Sequence, residues 1–349
     1  MKPPATSDPF PVGVGFGPPD TDTLTTWAHL ADEFGISLLS VGDNPGNAME
    51  MYVAAMALSL RTRRCRAGPA MTNPRSRDPL AIASALSTLE AFSPGRTFLG
   101  ISTGRARGRG GTVDDLRAHV TAIKELWSEG ETVFRGECLR LGWDAKAVPI
   151  LVGASGPGAL RVAGEVADGV VVESGVTPDA IAYARALVAE GAHSRGRDPA
   201  GIEHWWYLRP SLAPSSDDAL DRALPDLAAA GALVLGRDPA GRGVPRRFHE
   251  ACRELRRNYD MSAHARAGHA NPNRDLIKDD ALRDYLADRF ACIGTPEEWV
   301  SRLSELRDRG VERVFFGGTV PDPEYFASTL GREVLPRLAE GPPVPISER

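Results

Sequence analysis

The sequence predicts a single (β/α)8 barrel, and three observations carry that prediction. Short apolar runs alternate with helical segments eight times, the pattern of a parallel α/β fold. The first strand runs into Phe16-Gly17-Pro18-Pro19, without the G-x-G-x-x-G turn that an open, doubly wound sheet places there. The chain has 349 residues, a length that barrels with insertions reach as one domain.

Each element has a local reason. Residues 11–16 alternate apolar residues with glycine and form the first strand. Asp22 caps a helix that runs to Phe34, and Gly35 ends it. Residues 37–41 are the second strand, followed by a helix over 49–60 rich in Ala, Met and Leu. Residues 66–71 are the third strand, 79–91 a helix and 97–102 the fourth strand. Residues 113–129 form an amphipathic helix, with Leu116, Val120, Ile123, Leu126 and Trp127 at helical spacing. Residues 132–141 read as a hairpin turning at Arg135-Gly136-Glu137. The fifth strand (149–152), a helix (158–167), the sixth strand (169–172) and a helix (178–192) lead to the seventh strand (203–211). A helix over 296–308 precedes the eighth strand at 313–316.

Residues 215–290 break this rhythm, with helices but no clear strand, and are expected to be an insertion bordering the barrel mouth. The barrel domain is placed at 11–340, between a flexible N-terminus (1–10) and a C-terminal tail (341–349).

Composition narrows the function. The hydrophobic fraction is 42%, the charged fraction 25% and the net charge -5, so the basic excess of a nucleic-acid binder is absent. The basic run from Gly104 to Gly111 is short and reads as a mobile loop over a pocket. Cys65, Cys138, Cys252 and Cys292 form no C-x-x-C pair and read as reduced thiols of a cytoplasmic protein. The seven histidines contain no H-x-H or H-E-x-x-H, so no metal site is expected. The first residues lack the apolar core of a signal peptide, and no apolar run is long enough to span a membrane.

Four strand ends carry the chemistry: Val41-Gly42-Asp43-Asn44, Gly68-Pro69-Ala70-Met71-Thr72-Asn73-Pro74, Gly100-Ile101-Ser102-Thr103-Gly104, and Val152-Gly153-Ala154-Ser155-Gly156-Pro157-Gly158. In a barrel the C-terminal strand ends are where chemistry sits. The last of the four opens a helix. Small residues there let backbone N–H groups approach an anion, and the helix dipole adds to them. A tight turn that needs glycine explains the same residues.

Further along, Arg77-Asp78-Pro79, Ala85-Leu86-Ser87-Thr88-Leu89, Ser93-Pro94-Gly95-Arg96 and Leu99-Gly100-Ile101 follow the third-strand motif in order. Together with Gly153-Ala154-Ser155-Gly156-Pro157, residues 163–170 and Ile293-Gly294-Thr295-Pro296-Glu297, this set resembles the luciferase-like oxidoreductases. Within that family it is most similar to methylenetetrahydromethanopterin reductase-like, coenzyme F420-dependent members. The resemblance spans about residues 11–335.

The resemblance implies a flavin or deazaflavin at the C-terminal end of the barrel. It implies a non-prolyl cis peptide at Ala70–Met71 behind the ring, with Thr72 and Asn73 by the ring edge and Ser102 close by. Gly153, Ala154, Ser155 and Gly156 would hold the phosphate, with Glu173, Ser174 and Gly175 near it. Two positions depart from the relatives. Asn44 follows Asp43 where many deazaflavin enzymes have histidine, and Gly15 stands where the methanopterin reductase has Glu. These departures point away from methylenetetrahydromethanopterin as the substrate.

Asp43 and Asn44 are the candidate catalytic residues. Trp205 and Trp206 are candidates for the substrate pocket, one facing the barrel and one the helices. His264 and His269, in the insertion, are candidates to reach substrate, while Glu90 and Arg96 read as structural. The expected function is F420-dependent hydride transfer to or from a small organic substrate. The alternatives are an FMN-dependent monooxygenase fed by a separate flavin reductase, and a flavin-binding protein without turnover. A homodimer is expected, with the helix over 49–60 as a candidate face.

Overall fold

The computed structural model describes residues 10–106, 109–264, 266, 270–318 and 320–339. Its first half alternates β1 (Val12–Phe16), α1 (Thr21–Phe34), β2 (Leu38–Val41), α2 (Met51–Arg61), β3 (Arg66–Pro69), α3 (Pro79–Phe92) and β4 (Leu99–Ser102). Two short strands, β5 (Arg105–Ala106) and β6 (Arg109–Gly110), pair before α4 (Val113–Glu129). The hairpin β7 (Glu131–Phe134) and β8 (Glu137–Arg140) follows, then β9 (Ile150–Ala154), α5 (Pro157–Val166), β10 (Gly169–Val172), α6 (Pro178–His193) and β11 (Glu203–Leu212). The chain ends through α7 (Ser216–Ala229), α8 (His249–Asn258), α9 (Asp280–Phe290), β12 (Ala291–Gly294), α10 (Pro296–Asp308), β13 (Val314–Gly317), α11 (Pro323–Thr329) and α12 (Leu335–Ala339).

The strands run in the order β3-β2-β1-β13-β11-β10-β9-β4, all parallel. Parallel bridges Ala67–Thr97 and Thr72–Ile101 join the two ends of this order and close the barrel. The eight-stranded barrel is therefore as expected. Besides the short β5–β6 pair, one strand of the main sheet was not foreseen. β12 lies just past the insertion and pairs with the second half of β11, whose first half pairs with β13. Its four residues are too few for a periodicity signal. The cap of α1 is Asp20, not Asp22: the Asp20 side chain accepts from the Thr23 N–H at 2.7 Å. Gly35 ends the helix in the left-handed region, as expected.

Strand alternation splits the core into two shells. Val12, Val14, Val152, Val170, Trp206 and Phe316 point outward into the layer under the helices. Leu38, Phe98, Leu151, Val171, Trp205 and Phe315 fill the barrel interior. The aromatic filling needs space on β1 and β13. A Cβ at Gly13 would meet Phe315 at 3.0 Å and Trp205 at 3.2 Å, one at Gly15 would meet Phe315 at 2.9 Å, and one at Gly317 would overlap the Tyr207 ring. Each such glycine costs roughly 0.5–1 kcal/mol in chain entropy. Each buried large side chain returns roughly 1.5–3 kcal/mol, so the exchange favours folding.

The insertion has its own small core of Leu227, Phe248, Cys252, Leu255, Leu286 and Phe290. At the opposite end of the barrel, Glu90 accepts from the Gly95 N–H at 2.6 Å, and Arg96 donates to Thr62 and to the Cys65 and Ser59 carbonyls. These are structural contacts at the N-terminal face. Among the described residues, no helix is long and apolar enough to cross a membrane, and no cluster of His, Cys, Asp and Glu is arranged to hold a metal ion. All four cysteines are free.

Candidate functional site at the barrel mouth

Because the barrel strands are parallel, their C-terminal ends share one rim. At the end of β3 the Ala70–Met71 peptide is cis, at the bond the resemblance indicated. Glycines on the adjoining strands make room for it. A Cβ at Gly100 would overlap Ala70, and one at Gly153 would meet the Met71 Sδ at 3.1 Å and the Ser102 Cβ at 3.2 Å. Backbone bonds tie the segment to β4: Thr72 N–H donates to the Gly100 carbonyl at 2.9 Å, and Ser102 N–H donates to the Thr72 carbonyl at 3.0 Å. The result is a smooth wall formed by β3, β4 and β9.

Beside this wall several polar groups are locally paired, while the Tyr52 hydroxyl is buried without a hydrogen-bond partner. The Thr72 hydroxyl donates to Asp43 at 3.1 Å. Tyr52 lies close by, and burial together with the Asp43 charge pushes its phenol up. Arg77 lies over the Tyr52 ring at 4.6 Å and pairs with Glu50. Asn73 is buried, and its side chain is used by its own turn: its Oδ1 accepts from the Arg75 and Ser76 N–H groups and its Nδ2 donates to the Ser76 hydroxyl. Asn44 is exposed and accepts from the Asn47 amide at 3.1 Å, so it closes a surface turn while Asp43 faces the wall.

At the end of β9, Gly156 is the N-cap of α5 and offers no side-chain cap. The first-turn N–H groups are thus left for another acceptor. Arg242 reaches in from the insertion. Its guanidinium donates to the Ser155 carbonyl, and a Cβ at Gly156 would sit 2.8 Å from its Nη2. Burial pulls this guanidinium below its ordinary value, and Arg289 and Arg237 add repulsion against the pull of Tyr183 and Asp238. A guanidinium held at the positive end of a helix dipole is a site that an anion relieves. Arg289 braces the same corner. It donates to the Ser174 carbonyl at 3.0 Å and to the Arg242 carbonyl at 2.7 Å, and packs against Gly175, whose φ is 106°. Gly153, Ala154, Ser155, Gly156, Ser174 and Gly175 are thereby brought into one corner of the rim.

The barrel interior answers the tryptophan question. Trp205 faces inward, on the floor of the mouth, and Trp206 faces outward against the helices, so the expectation of Trp206 in the pocket is corrected. The interior also explains Gly15. The volume a first-strand glutamate would need holds Phe315 and the Ser40 hydroxyl, each 2.9 Å from the position of a Cβ. Two charged groups stand in the mouth on neighbouring strands, Glu173 after β10 and Arg209 on β11. Glu173 keeps some solvent contact, yet burial pushes its carboxyl up from the ordinary value, against the pull of Arg209. His264 is exposed on the insertion and bonds through Nδ1 to the Tyr259 hydroxyl at 2.7 Å. His269 lies outside the described residues.

Sequence reasoning missed Arg209, Arg242 and Arg289. Arg209 had a signal, since it continues the inward parity of Trp205 and Tyr207. Arg242 and Arg289 had none, because only the folding of the insertion aims them at β9 and β10.

Comparison with known proteins agrees with this architecture. The family model described as luciferase-like monooxygenase matches residues 6–313. The 5,10-methylenetetrahydromethanopterin reductase of Methanolobus tindarius is 26% identical over 343 residues, covering 93% of this chain and 99% of its own. An F420-dependent glucose-6-phosphate dehydrogenase of Microbacterium testaceum is 28% identical over 356 residues, covering 93% and 94%. The solved coenzyme F420-dependent tetrahydromethanopterin reductase from Methanopyrus kandleri shares the fold with a TM-score of 0.75 at 22% identity, covering 94% of this chain and 99% of its own. With most of its length matched and its barrel closed in the same way, the chain belongs to the luciferase-like monooxygenase family.

Proposed function

We propose that this protein is an oxidoreductase that binds coenzyme F420 at the barrel mouth and transfers hydride to or from a small organic substrate. One observation carries the reading: a wall of small residues, where Gly100 and Gly153 pack against Ala70 and Met71, shares one rim with an anion corner built from Gly153–Gly156, the α5 N-terminus and Arg242. A flat ring and a phosphate on one ligand match a flat wall and an anion corner on one rim. The named relatives that use F420 support the same choice of cofactor.

The residues divide the work. Ala70 and Met71, with Gly100 and Gly153 behind and beside them, form the surface on which the ring rests. Asp43, held by Thr72, sets the polarity at the ring edge, with Ser102 nearby. Gly156, the first turn of α5 and Arg242 take the phosphate, and Arg289 holds Arg242 and the 174–175 turn in place. When bound, the deazaflavin supplies a carbon that gives or accepts hydride. The chain's contribution is orientation and exclusion of water.

A second reading is an FMN-dependent monooxygenase supplied by a separate flavin reductase. Asn44, in place of an imidazole beside Asp43, favours it, because no histidine stands there to move a proton. Titration with F420 and with oxidised and reduced FMN, followed by fluorescence and absorbance, separates the two. Tight F420 binding with weak FMN binding is expected. Preference for reduced FMN, with oxygen uptake, would overturn the first reading. The exposed Val53 and Leu60 on α2 and Phe92 on α3 support a homodimer as part of the proposal, and its check is the mass in solution.

A further inference from the structure

Arg209 lies where β11 leaves β13 and begins to pair with β12. It is 9% exposed, and its guanidinium stands over the Tyr207 ring at 5.3 Å and the Phe290 ring at 5.5 Å. Its Nη1 is buried without a hydrogen-bond partner, and its side chain makes no hydrogen bond or ion pair among the described residues. A buried cation without a bonded partner is strongly disfavoured, and two aromatic faces offset that only in part. Unlike Arg209, the two other arginines at this rim are held by hydrogen bonds: Arg242 donates to the Ser155 carbonyl, and Arg289 donates to the Ser174 and Arg242 carbonyls.

Glu173 faces Arg209 across the mouth. The register Val171↔Trp205 sets it beside Tyr207, one strand away. It feels the Arg209 charge but forms no ion pair with it among the described residues. Strand parity points Glu173, Tyr207 and Arg209 inward, above the floor made by Trp205, Phe315 and Val171. The space between them thus has a planar cation on one side, a carboxyl on the other and apolar rings below.

We infer that Arg209 anchors a carboxylate of the substrate, so that the enzyme acts on a small organic acid. The guanidinium fork matches a carboxylate in two parallel bonds. A phosphate dianion fits less well, because Glu173 faces the same space, whereas the α5 corner combines Arg242 with the helix N-terminus. The inference rests on the reading of the barrel mouth as an oxidoreductase site, and it names the substrate class.

The test is thermal unfolding of the full chain with acetate, lactate, benzoate, phosphate and a chloride control at matched ionic strength. The wild type is compared with Arg209→Met, which keeps the reach and removes the charge, and with Arg209→Lys. F420 binding is titrated in all three. At least one carboxylate should raise the wild-type Tm saturably. Arg209→Met should melt at or above the wild type without ligand, lose the carboxylate response, and keep both the phosphate response and F420 affinity. Arg209→Lys should respond in part. No carboxylate response in the wild type overturns the inference. So does a response that persists in Arg209→Met, loss of the phosphate response alone, or loss of F420 binding. An Arg209-dependent carboxylate response in a protein that does not bind F420 would retain this anchor and remove the proposed cofactor.

Discussion

The two sides of the barrel mouth are built on opposite principles. On the β2–β3–β4 side, the rim amides and the Asp43 carboxylate are paired within a few residues or with the next strand: Asn44 with Asn47, Asn73 with its own turn, Asp43 with Thr72. On the β9–β10–β11 side, charges are buried and held from a distance. Arg242 and Arg289 come from the insertion, Glu173 has a raised carboxyl, and Arg209 has an unpartnered nitrogen. The first side holds its charges in local pairs, Asp43 with Thr72 and Arg77 with Glu50, and acts as a fixed surface. The second carries electrostatic stress that ligand charge relieves. Rigidity and binding are thus assigned to different strands of one sheet.

Paired glycine substitutions should separate the two sides of the mouth most visibly. Gly100→Ala would drive a Cβ into the Ala70 Cβ, a short side chain that cannot swing away, and should cost about 2–3 kcal/mol in urea unfolding. Gly156→Ala meets only the end of the Arg242 side chain, at 2.8 Å, and should cost under about 1 kcal/mol while weakening cofactor binding. Equal losses of stability from both would show that the two sides are equally rigid.

Arg242→Met should come next. It removes one charge-assisted contact and should weaken F420 binding about 10- to 100-fold, with little change in Tm. Unchanged binding would detach the insertion from the phosphate corner.

Glu173→Gln sharpens the comparison through pH. Burial raises the folded carboxyl above its unfolded value, so the native state holds the proton more tightly. The stabilisation from that proton is complete at pH below the unfolded value and is lost as pH rises through the folded one. Stability of the wild type should therefore fall across that window, by at most about 1.4 kcal/mol per pH unit, and Glu173→Gln should flatten the slope. Parallel pH profiles of the two proteins would remove Glu173 as the source.

Asn44→Ala should have the smallest effect. An exposed turn residue should cost under about 0.5 kcal/mol and leave F420 affinity unchanged. A large loss of affinity would place Asn44 in the cofactor site after all.

The repeating strand–helix frame was legible in the residues alone. Alternation and helical spacing are local, and α4 at Val113–Glu129, β10 at Gly169–Val172 and α10 at Pro296–Asp308 begin and end where those patterns do. The sequence also marked the four motif-bearing strand ends, because glycine and proline record backbone demands in the residue type itself. Tertiary structure alone decided the rest. The direction of Trp205 and Trp206 depends on which face of β11 closes the barrel. The loss of room at Gly15 comes from Phe315, far along the chain but paired with β1. Arg242 and Arg289 become part of the mouth only when the insertion folds back over β9 and β10. Residue types and spacings report what each segment needs, whereas a binding site is made by segments that meet only after the chain has closed.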